Sequence, residues 1–483
     1  MDMIMICSRC QMYCLKLSNP DMRFTFLFSI VLLCCCNLNS FAQKIDTVSY
    51  GKFGKIAVYH PVGAATSVAL FVSGDGGWKT GVVDMAKNLA AKGAMVLGID
   101  ARHYEYYLSK VKEECLYPAA DFEELSIDVQ KKYNLSTYHK PILVGYSYGA
   151  VLVYGILVQA PANTFKGALA LGFCPDINIV KPFCKGNGLT QHVLKPNKSY
   201  YLEATKTLTA PFIVLNGEKD QTCPYEATAN FLKDMPNAEL VKLDKVGHGF
   251  AVQSNWVPEF NAAYSKILGS DNESRRESGT PLPLVVVAAA KQSTLPFIFM
   301  ISGDGGWTSF DQSLAEALAS KGHYVIGLDA QKYFWKEKNP EETTEEVKQV
   351  ILKYQKQFNN KNFVLAGYSF GASVVPFLAS RLPAELKTDL KGVVSLSPDD
   401  HADFEIHITD MLNFGTSKGK YDVINELKNI SKLKPLVIFG KDEDDELKQS
   451  FLKAGIKSLV IPGGHRFDKD YPGISAAIIK GIQ

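Results

Sequence analysis

Two serines in this 483-residue chain sit in a pattern that turns a hydroxyl into a nucleophile. Gly145-Tyr146-Ser147-Tyr148-Gly149 and Gly367-Tyr368-Ser369-Phe370-Gly371 are both Gly-x-Ser-x-Gly motifs. Each directly follows a short apolar run, Pro141 to Val144 or Phe363 to Ala366, and precedes a helical pattern. A strand that turns sharply into a helix crowds the backbone, so glycines flank the serine and the helix N-terminus lies beneath its hydroxyl. Alone, the motif is common by chance. Here it is followed twice by an acid and then a histidine. The first set is Ser147, Asp220 and His248. The second is Ser369, an acid from Asp442, Glu443, Asp444 or Asp445, and His465. Matching Asp220-Gln221 to the last acid before the following helix selects Asp445, with Asp444 next. In such a set the histidine removes the serine proton and the carboxylate fixes its tautomer, so that serine attacks an acyl carbon.

Ser73-Gly74-Asp75-Gly76-Gly77-Trp78 recurs identically as Ser302-Gly303-Asp304-Gly305-Gly306-Trp307. Both copies follow an early apolar run, where a serine hydrolase of the α/β type places one oxyanion donor. Gly76 and Gly305 are the candidates, with a second N–H from the residue after each nucleophile, Tyr148 or Phe370. Asp75 and Asp304 read as turn carboxylates, and no His-Cys-Asp cluster has convincing metal spacing. No metal and no cofactor is expected. Asp304, with the aromatic run Tyr333, Phe334 and Trp335, is expected to contact substrate. The four acids Asp442 to Asp445 add negative charge that suits a cationic group. His60, His139, His192 and His323 read as ordinary histidines, and His401 and His407 as part of a solvated acidic loop.

The elements that must hold these residues repeat with them. Gly98-Ile99-Asp100 returns as Gly327-Leu328-Asp329, and Gly247-His248-Gly249-Phe250 as Gly464-His465-Arg466-Phe467. Four motifs in one order, twice, describe a duplicated globular domain and not a solenoid. The apolar-free stretch from Gly269 to Gly279 suits a linker. The domains are therefore placed at 44–268 and 281–483, with a linker at 269–280. Within each, short continuous apolar runs alternate with amphipathic stretches, which indicates a mostly parallel sheet covered on both faces. The fold class is α/β, two tandem doubly wound domains, and Ser-acid-His is the chain order of α/β-hydrolases.

Composition narrows the function further. Apolar residues make up 46% of the chain, enough for packed cores, which excludes an acidic disordered polymer. Fifty-two Lys and Arg against 50 Asp and Glu leave a formal charge of +2, so no strongly basic surface points to nucleic acid. Met22-Arg23, the apolar run Phe24 to Cys36 and Ser40-Phe41-Ala42 read as a secretory signal cleaved after Ala42. Residues 1–42 are then an extension plus that signal. Leu32 and Leu33 disfavour a lipoprotein anchor at Cys34 to Cys36. Export implies an oxidising compartment. Cys115, Cys174, Cys184 and Cys223 then form two disulfides in one of three pairings, and Cys174 with Cys184 would staple the loop between them.

The two glycine loops, Tyr333-Phe334-Trp335 and Gly-Tyr-Ser-Phe-Gly-Ala resemble the bacterial virulence protein family VirJ and its two-domain relative AcvB. The second domain is the more similar, through Leu328 to Glu337, Gly367 to Pro376 and Asp403-Phe404-Glu405-Ile406-His407. The first departs, with His103-Tyr104-Glu105-Tyr106-Tyr107 in place of the aromatic triplet, and Ser373 stands where relatives carry an acid. The resemblance implies a periplasmic serine hydrolase. For AcvB-like members it implies cleavage of the aminoacyl ester of lysyl-phosphatidylglycerol, and for VirJ-like members an accessory role beside secretion-system proteins. The expectation is an exported ester hydrolase with peripheral membrane contact, its second domain the main catalyst. The alternatives are a non-catalytic periplasmic adaptor and a hydrolase of a soluble ester or peptide.

Overall fold

The computed structural model describes residues 4–8, 11–15, 44–161, 163–186, 188–270, 282–289, 293–406 and 419–482. The signal and anchor readings at 22–42, most of the linker, and His407 lie outside the described residues. Residues 1–44 form a unit of their own, in which Ile4–Ser8 pairs antiparallel with Gln11–Leu15.

The rest of the chain carries two sheets. The first has eight strands: β1 (Ile45–Tyr50), β2 (Gly54–Tyr59), β3 (Ser67–Val72), β4 (Ala94–Ile99), β5 (Ile142–Tyr146), β6 (Gly167–Leu171), β7 (Phe212–Gly217) and β8 (Ala238–Leu243). Their spatial order is β1-β2-β4-β3-β5-β6-β7-β8, parallel from β4 to β8, with β2 antiparallel to β1 and β4. Every residue of β3 and β4 is buried, as expected for strands covered on both faces. Helices α1 (Thr80–Ala91), α2 (Ala101–Leu108), α3 (Pro118–Lys132), α4 (Tyr148–Gln159), α5 (Tyr225–Leu232) and α6 (Val257–Gly269) supply the crossovers and cover.

The second sheet repeats this plan with β9 (Leu284–Val287), β10 (Phe297–Ile301), β11 (Val325–Leu328), β12 (Phe363–Tyr368), β13 (Leu390–Leu396), β14 (Leu436–Gly440) and β15 (Ser458–Ile461). Its order is β9-β11-β10-β12-β13-β14-β15, with β9 antiparallel and the others parallel. Helices α7 (Ser309–Ser320), α8 (Ala330–Tyr333) and α9 (Phe370–Arg381) correspond to α1, α2 and α4. The chain is thus two tandem α/β-hydrolase domains. The nucleophile strands β5 and β12 lie inside each sheet, flanked by β3 and β6 or by β10 and β13.

In the first domain, the segment after β6 forms a small sheet from Asp176–Ile177, Gln191–Lys195 and Ser199–Leu202. Its cysteines pair differently from the expected Cys174–Cys184 staple. Cys115 bonds Cys184, and Cys174 bonds Cys223. Each disulfide therefore ties this segment to a neighbouring loop instead of closing it on itself. Backbone hydrogen bonds from Leu116 N to Pro182 O and from Cys184 N to Leu116 O bring the first pair together. Cys174 Sγ also lies 3.5 Å from Thr222 O, within the acid loop after β7.

Candidate active site

Both nucleophile turns are held by glycines that nothing larger can replace. Ser147 has φ 54° and ψ −117°, and Ser369 φ 52° and ψ −115°, a strained conformation for a residue with a side chain. A Cβ on Gly145 would stand 2.1 Å from Gly149 O, and one on Gly149 would stand 2.3 Å from Val72 O. Gly367 and Gly371 meet the same limits at 2.1 Å from Gly371 O and 2.3 Å from Ile301 O. The close approach of helix to strand leaves each serine at the tip of the turn.

In the first domain, His248 Nε2 lies 2.9 Å from Ser147 Oγ, and its Nδ1 lies 2.8 Å from Asp220 Oδ2. Asp220 is buried, and its other oxygen accepts from the backbone N–H groups of Thr222 (2.9 Å) and Cys223 (2.8 Å). The acid is therefore aimed by the loop that the Cys174–Cys223 bond anchors. In the second domain, His465 Nε2 lies 2.9 Å from Ser369 Oγ. Its acid is Glu443, whose Oε1 is 2.7 Å from His465 Nδ1.

Asp445, chosen from the sequence, is not that acid. It is the first residue of the helix Asp445–Lys453, with its side chain 90% exposed and paired to Lys448 (2.9 Å). Asp444 caps the same helix by accepting from Glu446 N (2.8 Å). The strand end sets the position of the acid, and the start of the next helix does not. Asp220 N donates to Gly217 O and Glu443 N to Gly440 O, the same turn in both copies. Counting from the glycine that ends each strand would have selected Glu443.

Ser397, absent from the sequence reading, supports Glu443. It has φ 52°, and its Oγ donates to Glu443 Oε2 (2.9 Å), which also accepts from Gly440 N. The first domain has Gly172 (φ 63°) at this place, where a Cβ would stand 3.2 Å from the His248 ring.

The glycine loops lie beside the nucleophiles, with Gly74 and Gly303 next to the serines. A Cβ on Gly74 would be 3.2 Å from Ser147 Cβ, and one on Gly303 would be 3.6 Å from Ser369 Cβ. A Cβ on Gly76 would meet nothing within 4 Å, and Gly305 N already donates to Asp304 Oδ1 (2.9 Å). Gly77 N and Gly306 N close turns onto Gly74 O and Gly303 O. Tyr148 and Phe370 keep the expected place as first residues of α4 and α9, where a backbone N–H has no intrahelical acceptor.

The aromatic triplet does not line the site. Tyr333 donates its hydroxyl to Glu346, and Phe334 is fully buried against Phe370 and Phe404. Trp335 is buried against the first domain, with Nε1 donating to Leu135 O (3.1 Å). An aromatic run following a strand end is expected in a pocket mouth; here the domain's own core takes Tyr333 and Phe334, and the first domain covers Trp335. The two sites also differ in access. The His248 side chain is 23% exposed and that of His465 51%. Beside the first site lies a cavity of about 340 Å³ lined by Glu105, Leu108, Ser109, Asn178, Ile179, Val180, Asn197 and Lys198. Burial, with repulsion from Asp75, holds the Glu105 carboxyl above its ordinary range.

The bacterial virulence protein (VirJ) family model matches residues 66–170 and 296–483. The chain belongs to the VirJ family. In this VirJ-family chain the second match runs unbroken from the glycine loop through Ser369, Glu443 and His465. The TAP-like protein family model matches residues 190–259, which include Asp220 and His248. No curated protein matches the chain. Among solved structures it is similar to a putative dienelactone hydrolase from Klebsiella pneumoniae subsp. pneumoniae MGH 78578, at 14% identity over 47% of this chain and 98% of that one, TM-score 0.34. Est1E from Butyrivibrio proteoclasticus shares 13% identity over 48% of this chain and 100% of its own, TM-score 0.33. A soluble variant of monoglyceride lipase from Saccharomyces cerevisiae shares 12% over 48% and 96%, TM-score 0.33.

Proposed function

We propose that this VirJ-family protein is an exported serine hydrolase that cleaves an ester, most suitably the aminoacyl ester of an aminoacylated phospholipid such as lysyl-phosphatidylglycerol. The observation that carries the reading is the aligned hydrogen-bond chain in each domain, Ser147–His248–Asp220 and Ser369–His465–Glu443. The second domain is assigned the main activity because its base is the more open to substrate and its family match is continuous.

In the reaction, Ser369 Oγ attacks the acyl carbon while His465 Nε2 takes its proton. Glu443 accepts from Nδ1–H and steadies the imidazolium. The N–H of Phe370 and the loop at Gly303 face the developing oxyanion. Collapse expels the alcohol, which receives the proton from His465. Water, deprotonated by His465, then releases the acid and restores Ser369. Two disulfides favour an oxidising compartment, which suits export.

Purified protein incubated with aminoacylated phospholipid tests this directly. Release of free amino acid that is lost in Ser369→Ala, and lost fully in the double variant with Ser147→Ala, supports it. A fluorophosphonate that labels neither serine sinks the enzyme and favours a non-catalytic adaptor for secretion proteins. Labelling with turnover of soluble esters only would move the substrate away from lipid.

A further inference from the structure

Helix α2 leads away from the first active site. At its start, Ala101 N donates to Ser73 Oγ (3.0 Å), and Asp100 Oδ2 accepts from Trp78 N (3.2 Å), so the helix is seated on the first glycine loop. Ala101, Glu105 and Leu108 share one face of its successive turns. Glu105 and Leu108 form one wall of the cavity of about 340 Å³. The facing wall comes from the segment that leaves β6 at Gly172, against the His248 ring. It supplies Ile179 and Val180, which lie between Cys174 and Cys184, and the turn residues Asn197 and Lys198. Both cysteines are bonded to neighbouring loops, so this wall is fixed at two points. Leu108 and Ile179 are buried, whereas Asn197 and Lys198 are exposed. The cavity is therefore apolar inside and polar at its rim, and its size is that of a small-molecule site.

The second domain fills the same place. Phe334 stands as far past Asp329 as Glu105 does past Asp100, and both aspartates cap the helix that follows. Phe334 is fully buried, with its ring centroid 5.1 Å from Phe370 and 5.7 Å from Phe404. Phe370 follows Ser369 as Tyr148 follows Ser147, and Tyr148 packs against the same core cluster as Leu108 and Ile179. Beside the residue after the nucleophile, the second domain thus has packed aromatic rings where the first has a glutamate on a cavity wall.

We propose that this cavity is the acyl pocket of the first site, so that Ser147 acts on esters of a medium-length acyl chain. This rests on the hydrolase reading of Ser147, His248 and Asp220. Ser147 Oγ bonds the acyl carbon as the bond from that carbon to the alcohol oxygen breaks, and the alcohol leaves with the proton that His248 took from Ser147. Water then gives its hydroxyl to the acyl carbon and its proton, through His248, to Ser147, which frees the acid. In both steps the acyl chain lies along Leu108 and Ile179, out of water. A short acyl group leaves the cavity unfilled and gains nothing from it. The two sites of one chain therefore prefer different esters, because Phe334 closes this pocket beside Ser369.

The full chain carrying Ser369→Ala reports the first site alone, and p-nitrophenyl acetate and hexanoate report chain length. Hexanoate is expected to exceed acetate in kcat/KM by about 100-fold, at roughly three- to fourfold for each buried methylene. The chain carrying Ser147→Ala, which reports the second site, should show a much smaller ratio. Glu105→Phe, which copies the second domain, and Val180→Trp, which narrows the rim, should each bring the first site's ratio close to one. Both esters are read on the same sample, so any loss of folded protein cancels in the ratio. A variant that retains turnover and keeps the parent ratio overturns the acyl pocket, as does a first site that prefers acetate. So does a Ser147 that a fluorophosphonate labels but that cleaves neither ester. If neither ester is cleaved and Ser147 stays unlabelled, the hydrolase reading of the first site falls, and this inference with it.

Discussion

Glu443 reaches His465 from the same turn that presents Asp220 to His248, although one acid is a methylene longer. The contact to Nδ1 is 2.7 Å in the second domain and 2.8 Å in the first. If Glu443 orients the base, Glu443→Gln should lower kcat by about 10³ to 10⁴, the scale seen when a histidine loses its tautomer partner. Asp445→Asn should leave kcat unchanged, since Asp445 is exposed and pairs with Lys448 across the helix surface. Steady-state kinetics on one ester with both variants decides between them.

Ser397 offers a finer probe of the same carboxylate. Its backbone already has a positive φ, so Ser397→Gly removes the hydroxyl without forcing the chain, and copies Gly172 of the first domain. One hydrogen bond is worth about 1 kcal/mol, so kcat should fall roughly five- to tenfold. A kcat equal to that of the wild type would show that Ser397 does not hold Glu443.

Trp335 is a docking residue, and its removal should separate the domains before it affects chemistry. Trp335→Ala deletes a buried indole and its bond to Leu135 O, at a cost of about 3–5 kcal/mol for a side chain of this size. Calorimetry should then resolve two transitions where the wild type gives one. Fluorophosphonate labelling of Ser369 should survive below the first of them.

The disulfides bear on one domain only, because the sequence has no cysteine after Cys223. Their sequence separations are 69 and 49 residues. In the chain-entropy account a loop of that size contributes about 4 kcal/mol. Reductant should make the first domain unfold at a lower temperature than the second and so split the single wild-type transition. Cys174→Ser should also slow labelling of Ser147, since Cys223 N helps aim Asp220.

Asp311 gives a pH signature independent of the site. Burial pushes its carboxyl from the ordinary 3.8 up to about 7, against the opposing bonds from Thr308. Among the described residues its Oδ1 is buried without a hydrogen-bond partner, which fits the protonated form. A raised folded-state value means the folded protein holds the proton longer than the unfolded chain. The stability this lends is complete below about 3.8 and is lost as pH rises through about 7. Asp311→Asn keeps the oxygen that Thr308 uses and should flatten the melting temperature over that window. An unchanged slope would place the titration elsewhere.

The residue types and their local spacing were enough to define both nucleophile turns. A Gly-x-Ser-x-Gly between an apolar strand and a helix can close only with glycine at Gly145, Gly149, Gly367 and Gly371, since a Cβ at each would strike backbone oxygen. The duplication was legible for a similar reason, because the Ser-Gly-Asp-Gly-Gly-Trp loops need the same turn twice and keep the same residues. Asp220 was legible as well, being the last acid between Gly217 and the following helix.

Other choices were made by contacts between distant segments. Four consecutive acids are equivalent as a string, and only the turn at Gly440 with the bond from Ser397 singles out Glu443. The cysteine pairing was decided by Leu116 and Cys184 meeting through their backbones, which spacing along the chain does not encode. Trp335 reads as a pocket aromatic until helix α3 is laid against it. Local backbone geometry is written in short stretches of residues, whereas the choice among chemically similar side chains depends on which surfaces the folded chain brings together.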